Sequence, residues 1–178
     1  MPALVQPTTA VHRSFLAAWD ELEDGDDRWM GVYVAEEDRT RRQLADPAEF
    51  ERYVEDLKRD ALPGSARPPD WVAATMLWYI DGDEWLGRLS IRHQLTRFLL
   101  EIGGHIGYVV RPSARRKGYA TAMLAESLPI AAGLGIDPAL VTCDTDNDAS
   151  RKVIEACGGE FEDQRNGKLR YWVPTQLR

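Results

Sequence analysis

"RPSARRKGYATAML", Arg111 to Leu124, sets four cationic side chains within seven residues and then runs straight into small and apolar ones. The 178-residue chain around it is acidic, with a formal net charge of -7, yet no Asp or Glu occurs between Glu101 and Glu126. The preceding "HIGYVV" (His105–Val110) is rich in branched and aromatic residues and is closed by Pro112, which reads as a strand. Tyr119–Leu134 has helical apolar spacing, with Leu124, Leu128, Ala131 and Leu134 as its stripe, Pro129 as an expected bend and Gly135 as a stop. The cations therefore fall where a strand ends and a helix begins. A helix N-terminus exposes unpaired N–H groups and carries partial positive charge, which suits a phosphate. Gly118 lets a ligand approach the backbone closely, and Ala120 and Thr121 leave the first turn uncrowded. The stretch reads as a backbone-amide cradle for phosphate with cations around it. It is neither GxxxxGK[ST] nor GxGxxG, so nucleotide hydrolysis and dinucleotide binding lose support.

Working outward, "ALVTCD" (Ala139–Asp144) reads as a short buried strand and "NDASRKVIEACGG" (Asn147–Gly159) as a capped helix ending on two glycines. "KLRYWVP" (Lys168–Pro174) reads as a last strand. Upstream, Trp71–His93 predicts a hairpin about Asp81-Gly82. Leu62–Asp70, with adjacent prolines, must be a loop. Two helices precede it: Ser14–Leu22, and Asp46–Asp60 with Asp46 as N-cap, Pro47 in the first turn and Phe50, Tyr53, Val54 and Leu57 as a stripe. Leu4–Pro7 suggests a first strand, and Glu23–Asp27 a solvated acidic loop. Strand, helix, strand over 105–144 is a parallel crossover, and the hairpin before it makes the sheet mixed. The expected fold class is α/β (α+β), one domain spanning residues 1–178.

The totals bound the partners. Hydrophobic residues make up 44 % and charged ones 29 %, an ordinary globular composition. The acidic total argues against nucleic acid. No apolar run approaches the roughly 20 residues of a membrane span, and no leader is evident, so no membrane partner is expected. The two cysteines, Cys143 and Cys157, sit in no CxxC; they imply reduced thiols in the cytoplasm and no metal site. They read as small buried hydrophobes rather than nucleophiles.

Arg115-Arg116-Lys117-Gly118-Tyr119-Ala120 fits the [QR]-x-x-G-x-[GA] signature of the GNAT superfamily of N-acetyltransferases. "IGYVVRPSARRKGYATAML" resembles that family's fourth strand and third helix. "ALVTCDTDNDASRKVIEACGGEFED" is similar to its fifth strand, loop Asn and fourth helix. "GGHIGY" followed by "RPSARRKGYAT" looks like a group of bacterial predicted acetyltransferases. The resemblance implies a mostly antiparallel sheet with one splayed parallel strand pair and helices on both faces. It implies an acetyl-CoA-dependent N-acetyltransferase, an acyltransferase of EC 2.3.1 type with no metal, acting on the amine of a small molecule or peptide as a monomer or homodimer. The amides of Arg116, Lys117, Gly118, Tyr119, Ala120 and Thr121, with Arg115 beside them, would hold the pyrophosphate. Tyr108, Val109 and Val110 would pair with the pantetheine arm, and Asn147 and Ser150 would meet it from the other side; Asn147 serves equally as a helix N-cap.

Acyl transfer to an amine needs a base, because an amine of pKa ~10.4 is mostly charged at neutral pH. It also needs a donor for the developing oxyanion, for which a backbone N–H near Val109 or Val110 is suitable. Glu101, His105 and Asp144 are candidate bases, each with a plain structural alternative: solvated carboxylate, packed strand histidine, turn cap. Many relatives place an acidic Tyr seven residues after the loop Asn; here that residue is Ile154, leaving Tyr108 or Tyr119 as substitute acids. A non-catalytic acyl-CoA-binding sensor or subunit of the same fold is the alternative.

Overall fold

The structure, a computed structural model, describes residues 1–23, 33–34 and 37–176. In chain order its elements are β1 (Ala3–Val5), α1 (His12–Glu23), β2 (Tyr33–Val34), β3 (Glu37–Asp38), α2 (Arg41–Leu44), α3 (Pro47–Arg59), β4 (Ala74–Asp81) and β5 (Glu84–Arg92). There follow β6 (Ile106–Val110), α4 (Tyr119–Gly133), β7 (Ala139–Asp144), α5 (Asp148–Ala156), β8 (Glu160–Arg165) and β9 (Lys168–Val173). Seven strands form one sheet in the order β1-β4-β5-β6-β7-β9-β8. Every neighbouring pair is antiparallel except β6 and β7, which run parallel and share a single Cα pair, Ile106 with Val141. Past that point the two strands separate. The mixed sheet with its splayed parallel pair is thus as expected.

Alternation along the central strands fills a core on each face. On β4, Leu77 and Tyr79 face α4 and α5, and Trp78 faces α1 and α3. A register shift between Tyr79 and Ile80 brings Trp85 of β5 opposite Ile80 and onto the Trp78 side. Phe15 of α1 is the hub of that second core: its ring lies 5.3 Å from Trp78, 5.6 Å from Trp85, 5.2 Å from Phe50 and 5.9 Å from Tyr53. The α3 stripe of Phe50, Tyr53, Val54 and Leu57 is buried there, and the Asp46 carboxylate caps the helix by accepting from the Ala48 and Glu49 amides. On the other face α4 buries Met123, Leu124, Ser127 and Ala131. Leu134, expected in that stripe, is half exposed, and Pro129 sits inside an unbroken helix.

Other expectations shift. The hairpin turns on Gly82-Asp83, one residue later than read, with Asp81 opposite Glu84 as the last pair. The charged strand β8 was not anticipated, nor were the short α2 and a π-helical turn at Leu99–Gly103. Of the acidic stretch read as a loop, Glu23 closes α1, and Asp24–Asp27 lie outside the described residues.

Because Phe15 is fully buried against five aromatic partners, Trp19 among them, Phe15→Ala should lower unfolding free energy by about 3–5 kcal/mol. Denaturant titration checks this; a loss under about 1 kcal/mol would show that the cluster repacks.

Candidate functional site

The segment joining β6 to α4 contains two left-handed residues, Arg116 (φ 64°) and Gly118 (φ 82°). Gly118 is the N-cap of α4 and offers no side-chain acceptor, so the first helical amides stay unbonded. Among the described residues, no protein group accepts from the amides of Arg116 through Thr121. A Cβ placed on Gly118 would meet no atom within 4 Å. The segment is therefore a concave row of donors open to the outside, the kind of nest that takes an anion.

The four cations of the opening stretch do not share one role. Arg111 turns inward: its guanidinium binds the Glu21 carboxylate, Ser14 Oγ (3.1 Å) and the Trp85 carbonyl (3.2 Å). Glu21 also accepts from the Ser113 amide (2.9 Å) and hydroxyl (3.0 Å). Arg111 thus ties α1 to the start of the nest and leaves the cation cluster. Arg115 folds back, its Nε donating to the Val110 carbonyl at 3.1 Å. Arg116 and Lys117 are exposed.

The space between β6 and β7 is bordered by α4 and α5. Tyr108 reaches across it from β6, its hydroxyl 2.7 Å from Ser150 Oγ on α5. Burial pushes the Tyr108 pKa well up, with the Ser150 bond only partly offsetting it, so the phenol stays protonated. Asn147 serves as the α5 N-cap, its side-chain oxygen accepting from the Ser150 amide at 3.0 Å. The structure thus brings Tyr108, Ser150 and Asn147 together at one side of the wedge.

The three candidate bases are spread out and each is engaged. The Glu101 carboxylate pairs with Arg165 (3.1 Å) and Asn166 (3.4 Å), and Asp144 pairs with Lys168. His105 sits at the closed end of the wedge: its Nδ1 accepts from the Leu140 amide at 2.9 Å, while its own amide donates to the Leu140 carbonyl at 2.7 Å. Burial, and secondarily Arg92 nearby, lowers its pKa to about 4. An Nδ1 that accepts leaves the proton on Nε2, so the neutral ring presents a donor rather than a base.

Ile154 is wholly buried in the core beside α4, and a Cβ on Gly159 would meet its side chain at 2.6 Å. Cys143 and Cys157 are free thiols whose pKa values burial raises, which disfavours the thiolate; Cys157 Sγ lies 3.6 Å from the Thr121 carbonyl. Trp78 and Trp85 are core residues, and Trp71 is half exposed. Arg92, unremarked in the sequence, proves to be a largely buried guanidinium on the face opposite α4 and α5. Its alternation with the apolar Leu89 and Ile91 was the available signal.

An anion nest thus follows a strand and adjoins a splayed parallel pair. Residues 9–160 match the family model of the acetyltransferase (GNAT) domain, and the chain belongs to that family. Solved structures share the fold. RimJ of Mycobacterium smegmatis, in complex with CoA-disulfide, is 16 % identical with a TM-score of 0.66, covering 97 % of this chain and 81 % of that one. The ribosomal-protein-S5-alanine acetyltransferase of Vibrio fischeri is 16 % identical with a TM-score of 0.60, covering 98 % and 92 %. The microcin C7 self-immunity acetyltransferase MccE, in complex with acetyl-CoA and AMP, is 14 % identical with a TM-score of 0.60, covering 97 % and 92 %. Comparison with curated protein sequences found no match. Among the described residues no helix is long and apolar enough to cross a membrane.

The Glu21 cluster makes a pH prediction. Burial raises the Glu21 pKa, but bonds from Arg111 and Ser113 outweigh it, and the carboxyl ends below its ordinary range. A depressed carboxylate contributes stability at neutral pH that is lost as pH falls through its folded value. Glu21→Gln should therefore be less stable than the parent at neutral pH, and the gap should close on acidification below the ordinary carboxylate range. Urea midpoints across pH measure it; a gap independent of pH would remove the ion cluster as its cause.

Proposed function

We propose that the chain is an acetyl-CoA-dependent N-acetyltransferase that acetylates the amine of a small molecule or peptide by direct attack on the thioester. The observation that carries this reading is the row of unpaired amides from Arg116 to Thr121 at the mouth of the β6–β7 wedge, with open space at Gly118. These residues fit a pyrophosphate: the amides donate, and Arg115, Arg116 and Lys117 supply positive charge around them. Tyr108, Val109 and Val110 offer the diverging edge of β6 to the pantetheine arm, while Asn147 and Ser150 line the opposite side. Bound acetyl-CoA supplies an acyl carbon activated by its thioester.

The chain's own groups then manage protons and charge. The protonated Tyr108 hydroxyl, held in the wedge by Ser150, replaces the missing Tyr at position 154 as donor to the departing sulfur. A Val109 or Val110 amide on the diverging strand serves the carbonyl oxygen. The base is Glu101 or Asp144, because the one unprotonated ring nitrogen of His105 is occupied by the Leu140 amide. Cytoplasmic location and action as a monomer or homodimer belong to the same reading.

The reading of the chain as a non-catalytic acyl-CoA binder is favoured by one observation: the buried Ile154, where relatives carry a hydroxyl. Release of free thiol on mixing with an amine panel separates the two readings.

Gly118→Val should abolish acetyl-CoA binding in isothermal titration, since its side chain would fill the open space and L residues resist φ near 82°. Arg115→Ala should weaken binding only several-fold, about 1 kcal/mol. Parent-like binding by folded Gly118→Val would place the phosphates elsewhere. Tyr108→Phe should lower kcat more than it weakens coenzyme binding; unchanged kcat would remove the hydroxyl from the proton step.

A further inference from the structure

Arg92 ends β5 at the closed end of the wedge. Its Nη1 donates to the Gly103 carbonyl (2.9 Å) and the Gly104 carbonyl (3.2 Å), and among the described residues it forms no ion pair. Its fork lies against bare backbone, since a Cβ on Gly107 would sit 3.6 Å from Nη2 and 3.7 Å from Nη1. A buried guanidinium is ordinarily matched by a carboxylate or another anion. Among the described residues only two neutral carbonyls compensate it, and burial lowers its pKa.

The neighbours are donors too. Leu89 and Ile91 face the α4–α5 core, so Ser90 and Arg92 point to the opposite face. Ser90 stands directly across from Gly107, is 8 % exposed, and its hydroxyl has no protein partner among the described residues. His105 alternates with the core residue Ile106 and so shares that face; its neutral ring carries Nε2–H and lies near enough to Arg92 for the guanidinium charge to depress its pKa. A guanidinium fork, a hydroxyl and an imidazole N–H converge on one face, and among the described residues no carboxylate is paired to the cation. The amide nest lies beyond Val110, at the other end of β6, so these donors do not serve the coenzyme's phosphates.

We propose that Arg92, with Ser90 and His105 beside it, binds an oxyanion carried by the acceptor, so that the amines acetylated also bear a carboxylate or a phosphate. This rests on the N-acetyltransferase reading and names its substrate class. Acceptors reach the thioester from the face that α4 and α5 leave clear, and the oxyanion pairs with Arg92 and orients the amine. Fork-shaped bidentate pairing suits either anion.

The test uses the full-length protein and primary amines matched in length, ending in methyl, carboxylate or phosphonate. The anionic amines should show at least about tenfold higher kcat/KM than the methyl-ended ones, and the better anionic arm identifies the group. Arg92→Leu should erase that preference through KM while acetyl-CoA affinity stays at the parent value, and Arg92→Lys should restore part of it. Equal turnover of charged and uncharged amines by the parent protein would overturn the proposal, whatever the variants do. So would an Arg92→Leu loss shared by all amines and accompanied by a lower Tm, the mark of a clasp on the Gly103–Gly104 turn alone. If no amine is acetylated although acetyl-CoA binds, the enzymatic reading falls. Calorimetry of the same carboxylates and phosphonates with the CoA-loaded protein then decides the Arg92 site: Arg92-dependent binding supports it, and absence of binding overturns it.

Discussion

Two parallel strands joined at one end and free at the other set up everything else in this molecule. β6 and β7 meet at His105–Leu140 and Ile106–Val141 and then diverge. The joint is unusual in its chemistry. His105 donates through its backbone to the Leu140 carbonyl and accepts the Leu140 amide on its ring, so a side chain completes a ladder that backbone alone would leave open. That arrangement requires an unprotonated imidazole, and burial supplies one. His105, one of three candidate bases, thus holds the two strands together where the wedge begins.

The sheet separates the two kinds of work. Its α4–α5 face and the far end of β6 carry Tyr108, Ser150 and the unpaired amides of the nest. Its other face carries the aromatic core around Phe15 and, at the closed end of the wedge, Arg92 and Ser90. The two halves are joined through Arg111 and Glu21, whose bonds run from α1 to the residue that opens the nest. The partly buried Arg111–Glu21 pair, with Glu84 3.7 Å from the same guanidinium, therefore ties α1 to the start of the nest.

Much of this was legible in the chain itself. The amide nest announced itself because glycine, small residues and cations occurred between a clear strand and a clear helix, and all three signals are local. The α3 cap and stripe were likewise local. What escaped depended on partners distant in sequence. Nothing near Arg111 says that Glu21, ninety residues earlier, will claim it. Arg92 is one cation among 22 Lys and Arg until the fold places it over Gly107. Ile154 could be recognised as a departure from the family pattern, but only packing shows it wholly buried. β8 escaped for another reason: "EFEDQR" has the composition of a solvated loop. Its signal was the Asn166-Gly167 pair after it, both at positive φ (48° and 76°), the dipeptide of a tight hairpin.

That charged strand bears on how the protein behaves in a crowded solution. β8 is one border of the sheet and β1 the other, and a border strand offers unpaired N–H and C=O groups to any passing chain. β1 is three residues long, too short to template much. β8 is longer, but Glu160, Glu162, Asp163 and Arg165 stud it, and its register against β9 is broken between Phe161 and Asp163. Addition of a further strand there would bring like charges together along an irregular edge. The composition that hid β8 from a reading of the sequence thus discourages the folded sheet from growing beyond its own seven strands.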